Sequence, residues 1–177
     1  MMPETVGDFT VTFVSSGPLL ASSRQLADEL LPCHVRSRVE FLGGVSDERM
    51  AEIVRSSHIY VSTSRSDGTS SSLLEALASG LFPVLSDIPQ NREWINVSNG
   101  LRNGILVPLD EPDTLVRALR EAILDEKWRN EVVKYNRSLV LTRASSRTTM
   151  KDLVVTLESI VRKPKATQHE LYGTDPN

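Results

Sequence analysis

Short apolar runs alternate with amphipathic stretches along most of the chain, and this alternation predicts strands and helices in turn. Phe9–Ser15 (FTVTFVS) is rich in β-branched and aromatic residues and reads as a strand. Ser16-Gly17-Pro18 breaks it, and the next helix has Leu19, Leu26 and Leu30 as candidate core positions until Pro32 ends it. Val39–Leu42 reads as a second strand, closed by Gly43-Gly44. Ser46 then caps a helix in which Met50, Ile53, Val54 and Ser57 keep helical spacing. Ile59–Thr63 is a third strand, followed by the polar loop Ser64–Gly68. A short helix over Ser70–Ser79 follows, with Gly80 at its C-terminal stop. Phe82–Ser86 is a fourth strand, and Asn103-Gly104 turns the chain into a fifth, Ile105–Val107. Pro112-Asp113 opens a helix with Leu115, Leu119, Ala122 and Ile123 on one face, and helical pattern continues to about Arg162.

Strand–helix alternation of this kind predicts an α/β fold, a doubly wound parallel sheet covered on both faces. Ligands of such sheets bind beyond the carboxyl ends of the strands. Gly17, Gly43-Gly44, Ser64–Gly68 and Asp87-Ile88-Pro89 each follow a strand, so they are expected to gather along that edge. Residues 1–162 are read as one domain and residues 163–177 as a disordered polar tail.

Composition narrows the function classes. At 40% hydrophobic and 24% charged, the 177-residue chain is neither wholly disordered nor a collagen or coiled coil. Its longest apolar runs, such as Leu153-Val154-Val155, are too short to span a bilayer. Glu4 and Asp8 stand where a secretory signal would be basic and then apolar. The single Cys33 excludes an internal disulfide framework and suits a reducing cytoplasm. His34, His58 and His169 have no metal-ligand spacing, so no metal site is expected. The net charge of −3 hides an asymmetry: Lys127–Lys165 carries ten Lys/Arg against three acids, the rest ten against twenty. That basic stretch reads as a solvated helical face, or as a surface for an anionic membrane or an acidic partner. Aromatic residues are too scarce, at 5%, for a base-stacking nucleic-acid site.

The chemistry concentrates in Arg65–Gly80 (RSDGTSSSLLEALASG). At helical spacing Gly68, Ser71, Ser72, Glu75, Ala78 and Ser79 share one side, while Leu73, Leu77 and Gly80 lie opposite, ready to pack on a sheet. One carboxylate is thus ringed by small residues that leave room for a ligand. Amides at Thr69–Ser72, at the helix start, suit an anion such as phosphate. Glu75, one turn in, suits sugar hydroxyls. Together these point to a nucleotide or nucleotide-sugar, against the plainer reading of a surface helix with an incidental glutamate. No nucleophile elbow, P-loop or complete dinucleotide fingerprint is present, so Gly43-Gly44 is either a phosphate-binding turn or a plain tight turn.

Several stretches resemble the donor-binding half of family 4 retaining glycosyltransferases of the GT-B fold. They are VEFLGGVSDERMAEIVRSSHIYVSTS (Val39–Ser64), SDGTSSSLLEALASGLFPVLSDI (Ser66–Ile88), NREWI (Asn91–Ile95) and NGILVPLDEPDTLVRAL (Asn103–Leu119), with the SSGP turn (Ser15–Pro18) before them. The resemblance implies a Rossmann-like half of a GT-B fold that binds a UDP- or GDP-linked sugar, without a metal or other cofactor, for transfer of a hexosyl group to a hydroxyl acceptor. The family's two glutamates, separated by seven residues, correspond to Asp67 and Glu75. By resemblance Asp67 contacts the donor sugar, Glu75 the ribose hydroxyls, and the amides of Thr69, Ser70, Ser71 and Ser72 the pyrophosphate or donor hydroxyls. Gly43, Gly44 and Val45 then lie beside the base, with Gly17, Ser64, Arg65 and Gly68 completing the pocket.

The chain departs from the family pattern in three respects. Asp67 is one methylene shorter than the family residue, and Ser70–Ser72 replace small and aliphatic residues. No Lys or Arg precedes Arg24, so the family's upstream cationic pair, which neutralises the leaving diphosphate, has no counterpart here. The family's first strand–helix unit and its acceptor domain are likewise read as absent. The chain alone is therefore expected to bind donor without turnover, to self-associate through a bared apolar edge, and to work in the cytoplasm, at the inner membrane face if the basic stretch makes that contact. The alternatives are a non-catalytic nucleotide-sugar-binding or partner subunit and a sugar-nucleotide epimerase.

Overall fold

The computed structural model describes residues 8–95, 97–98 and 100–144. Contacts divide the chain after Arg137, and the architecture below is that of the first unit. In chain order the strands are β1 (Val11–Phe13), β2 (Val39–Phe41), β3 (Ile59–Ser62), β4 (Phe82–Ser86), β5 (Val97–Ser98), β6 (Leu101–Arg102) and β7 (Ile105–Val107). The helices are α1 (Leu20–Leu30), α2 (Cys33–Arg36), α3 (Asp47–Ser56), α4 (Ser71–Ser79), α5 (Pro89–Arg92), α6 (Pro112–Leu124) and α7 (Glu126–Arg143).

All five predicted strands form, each as long as predicted or shorter, and all pair in parallel. They make two ladders rather than one: β1 pairs with β2, and β3, β4 and β7 pair in that order. The centre of the second ladder is β4, whose five residues are all buried. An unbroken apolar run is what a strand with neighbours on both edges and helices on both faces requires. Phe82, Val84, Ile105 and Val107 pack with Ala118 and Ala122 of α6 and Val132 of α7. Trp128 meets Phe82 edge-on, with ring centroids 4.6 Å apart, and donates its indole N–H to the Arg102 carbonyl. Gly104 enters β7 where any Cβ would lie 2.7 Å from Pro83 Cγ and 3.0 Å from its carbonyl oxygen, so only glycine lets the two backbones approach.

The helix stops and starts follow their local chemistry. Ser46 Oγ accepts from the Arg49 amide as α3 begins, and Asp125 Oδ1 accepts from the Trp128 amide as α7 begins. Gly80 stands in the left-handed region (φ 91°) and ends α4. Arg129 donates to the carbonyls of Ala122 and Ile123, placing a cation at the C-terminus of α6.

The β1–β2 ladder is packed more thinly. Phe13 and Phe41 stack across it at 4.7 Å, yet Phe13 stays half exposed. Leu19, Leu26 and Leu30, expected in the core, are exposed, and Ala27 is the buried residue of α1. Periodicity had identified a real apolar stripe; what it could not supply is an element for that stripe to pack on. The antiparallel β5–β6 pair and the four-residue helices α2 and α5 were not foreseen, because elements this short carry too few residues for any period. The predicted helix to Arg162 is seen to Arg143; its remainder and the tail over 163–177 lie outside the described residues. No described helix is long and apolar enough to cross a membrane.

Candidate functional site: the carboxyl ends of the strands

The loops after β3, β4 and β7 meet where their parallel strands end. Ser86, the last residue of β4, donates its hydroxyl to the Ser64 carbonyl at 2.5 Å, and Ser62 and Ser64 hydroxyls lie 3.3 Å apart. Asn91 Nδ2 holds the Ser86 carbonyl at 2.9 Å from the first turn beyond β4. Asp87, its amide bonded to the Val107 carbonyl, makes a two-point ion pair with Arg92. The Arg92 hydrogen bonds hold the Asp87 carboxyl below the ordinary aspartate range. Arg65 forms a second two-point pair with Asp110, which follows β7.

Helix α4 rises from this edge. Ser70 is its N-cap, with Oγ accepting from the Leu73 amide at 3.4 Å. Leu73, Ala76 and Leu77 are buried, while Ser71, Ser72, Glu75 and Ser79 face outward, as the spacing predicted. Ser72 Oγ lies 2.8 Å from Tyr60 Oη and 2.9 Å from Ser70 Oγ, which ties the polar face of the helix to β3. Ser71 and Ser72 lie one turn before Glu75 on that face.

Two assignments change. Gly68 lies two residues before the N-cap, so it belongs to the loop and not to the helical face that spacing gave it. Thr69 likewise precedes the cap. The first-turn amides are those of Ser71, Ser72 and Leu73, and the Ser70 hydroxyl takes the last of these. Asp67 is exposed on the same loop.

A second cluster forms at the ends of β1 and β2. Gly17 lies in the turn that starts α1, and a Cβ on Gly44 would sit 3.7 Å from Ser16 Cβ, so the two glycine turns adjoin. Gly43 has φ 72°, where a side chain would strain the backbone. Val45 beside it is half-buried. The residues that sequence reasoning missed are Tyr60 within β3, Ser86 at the end of β4 and Asp110 after β7. Each acts through a partner at least 12 residues distant, and nothing local marks such a pairing.

A surface depression lies at the α6–α7 corner, between Leu124 and Lys134. It mixes both signs of charge and holds the start of α7, and none of the candidate residues above lines it. Among the described residues no three His, Cys, Asp or Glu side chains group as metal ligands.

Solved glycosyltransferase structures share this fold. HepE of Anabaena, solved with UDP, superposes with a TM-score of 0.72 at 19% identity, covering 85% of this chain and 41% of HepE. WaaG, a glycosyltransferase involved in lipopolysaccharide biosynthesis, gives 0.63 at 21% identity over 76% of this chain and 34% of its own. The C-terminal domain of the group 1 glycosyl transferase LpcC of Francisella tularensis gives 0.62 at 22% identity, over 73% and 66%. The chain thus spans about a third of WaaG and about two fifths of HepE. No curated protein matches it by sequence. The sequence from residue 8 to residue 139, which holds both glycine turns and all of α4, matches Glycosyl transferases group 1, and the chain belongs to that family.

Proposed function

We propose that this chain is the donor-binding half of a retaining family 4 glycosyltransferase, and that it binds a UDP- or GDP-linked sugar at the strand ends. The observation that carries the reading is α4: a serine-capped helix start at the carboxyl edge, with Glu75 exposed one turn in. HepE was solved with UDP and with UDP-glucose, and the pneumococcal O-GlcNAc transferase GtfA with UDP and GlcNAc, which supports the same ligand class here.

In this reading Glu75 accepts hydrogen bonds from the ribose hydroxyls, and the amides of Ser71 and Ser72 meet the pyrophosphate. Asp67 contacts the donor sugar; Gly43, Gly44 and Val45 flank the base, with Gly17 and Ser64 at the margin. The transferred hexosyl group leaves a diphosphate whose growing charge must be met by oriented amides and cations. Arg65 is the cation nearest in sequence to α4. The basic stretch 127–165 is the one we assign to an anionic membrane surface; within it Lys127, Lys134 and Arg137 of α7 are exposed, while Arg129 is engaged by α6.

Calorimetric titration with UDP and GDP tests the site. Glu75→Ala should weaken binding by about 1.5–3 kcal/mol, the worth of hydrogen bonds to a charged acceptor. Its melting temperature should not change, because an exposed carboxylate packs nothing. Equal affinity in wild type and variant would remove the ribose role. Transfer also needs the acceptor held against the donor carbon, so labelled sugar should not reach any acceptor with this chain alone; transfer above hydrolysis controls would overturn the half-enzyme reading.

A further inference from the structure

Arg65 is the sole Lys or Arg between Arg55 and Arg92, and it follows directly on the residue that Ser86 pins to β4. Its backbone neighbour is therefore fixed while its side chain remains 71% exposed. That side chain does not lie loose. Both terminal nitrogens engage the Asp110 carboxylate, Nη1 to Oδ2 at 3.0 Å and Nη2 to Oδ1. Because β4 lies between β3 and β7, the pair bridges the loops of two strands that are not neighbours.

Asp110 is unusual in its own right. With φ 62° it is the one non-glycine residue in the left-handed region among the described residues. Aspartate tolerates that conformation better than most residues, but its use at one place invites a functional reason. The carboxylate held there occupies the two-pronged donor face of Arg65, the same face that a guanidinium offers to phosphate oxygens.

We propose that Asp110 is a latch on Arg65, and that the diphosphate of a bound nucleotide takes the guanidinium from it. This rests on the nucleotide-binding reading given above. Latched, Arg65 adds no net charge to the strand ends and does not draw in stray anions. A diphosphate, with more charge than one carboxylate and the same bidentate geometry, outcompetes Asp110. The exchange is cheap because the pair is exposed on both sides, 71% and 64%, and exposed ion pairs contribute little. Asp110 is then a positioning residue that sets how strongly the site prefers a diphosphate over an uncharged nucleoside.

The test is calorimetry at fixed ionic strength with UDP, GDP and uridine, on wild type, Asp110→Asn, Arg65→Ala and the double variant. Asparagine suits the left-handed backbone, so Asp110→Asn removes the charge without disturbing the turn. Its diphosphate affinity should rise roughly two- to fivefold, the range that an exposed ion pair supplies, with uridine unchanged. Arg65→Ala should lower diphosphate affinity, and in that background Asp110→Asn should bring no gain. A gain that persists without Arg65 would mean a general field effect, and one shared by uncharged uridine a change in the pocket itself; either would overturn the latch. So would diphosphate affinity that is indifferent to Asp110→Asn, while leaving the nucleotide reading intact. If wild type binds neither diphosphate, the nucleotide reading falls and the latch with it.

Discussion

Asp67 stands where the family has a glutamate, one methylene longer, and it sits on an exposed loop just ahead of the α4 cap. If its role is to hold the donor sugar, lengthening the side chain should help one ligand and not another. Asp67→Glu is expected to tighten UDP-glucose binding and leave UDP unchanged, measured by paired titrations. A parallel change for both ligands would instead mean that Asp67 shapes the loop through local bonds to backbone amides. Single residues were legible in the sequence where the local chain sets their role. Ser46 caps a helix, Gly80 ends one, and Glu75 faces out beside small neighbours. Residues whose role depends on a distant partner were not. Arg65 meets Asp110 across 45 positions, and Asn103 and Asn136 each donate a hydrogen bond to the other across 33.

At the scale of the element, α5 shows how a four-residue helix can be held. Pro89 begins it, Asn91 reaches back to the β4 carbonyl, and Arg92 pairs with Asp87. Those hydrogen bonds from Arg92 depress the Asp87 pKa, so the folded chain releases that proton more readily than the unfolded one. The stabilisation is therefore present above the unfolded value, about 4, and is lost as pH falls through the lower folded value. Asp87→Asn should lower the urea midpoint slightly at neutral pH, and the gap from wild type should shrink as the pH is taken down through the acid range in which Asp87 protonates. A gap of equal size at neutral and acid pH would assign the effect to the helix start rather than to charge. Of the longer elements, β4 was plain from its unbroken apolar run and α6 from its spaced leucines and alanines. The apolar stripe of α1 was equally plain, but a stripe names a face and not what covers it.

At the scale of the whole first unit, burial is uneven. Nearly all the buried apolar residues belong to or adjoin the β3–β4–β7 ladder, while Leu19, Leu26 and Leu30 of the α1 region are 54–72% exposed. Phe13 and Val61, at 48% and 44%, add to the apolar surface. Surface of this kind drives association, so sedimentation should show concentration-dependent mass. Leu26→Lys with Leu30→Lys should reduce it at little cost to the melting temperature, because neither side chain is buried. Unchanged association in that double variant would place the contact elsewhere. The fold class was legible because strand–helix alternation is a property of the whole chain. The division into two ladders was not, since no local pattern says which strands fail to meet.

That division bears on how the chain should open. β4 has a neighbour along each edge and no exposed residue, whereas among the described residues β1 and β2 have only each other. Backbone amides of β4 should exchange with deuterium only on global unfolding, while those of β1 and β2 exchange through smaller, more frequent openings. The Gly43-Gly44 turn belongs to the faster set and α4 is anchored to the slower one. A nucleotide that touches both would suppress the local openings in proportion to its concentration over its dissociation constant. Protection gained at β1 and β2, remote from any charged group of the ligand, would then report that the two ladders had been joined.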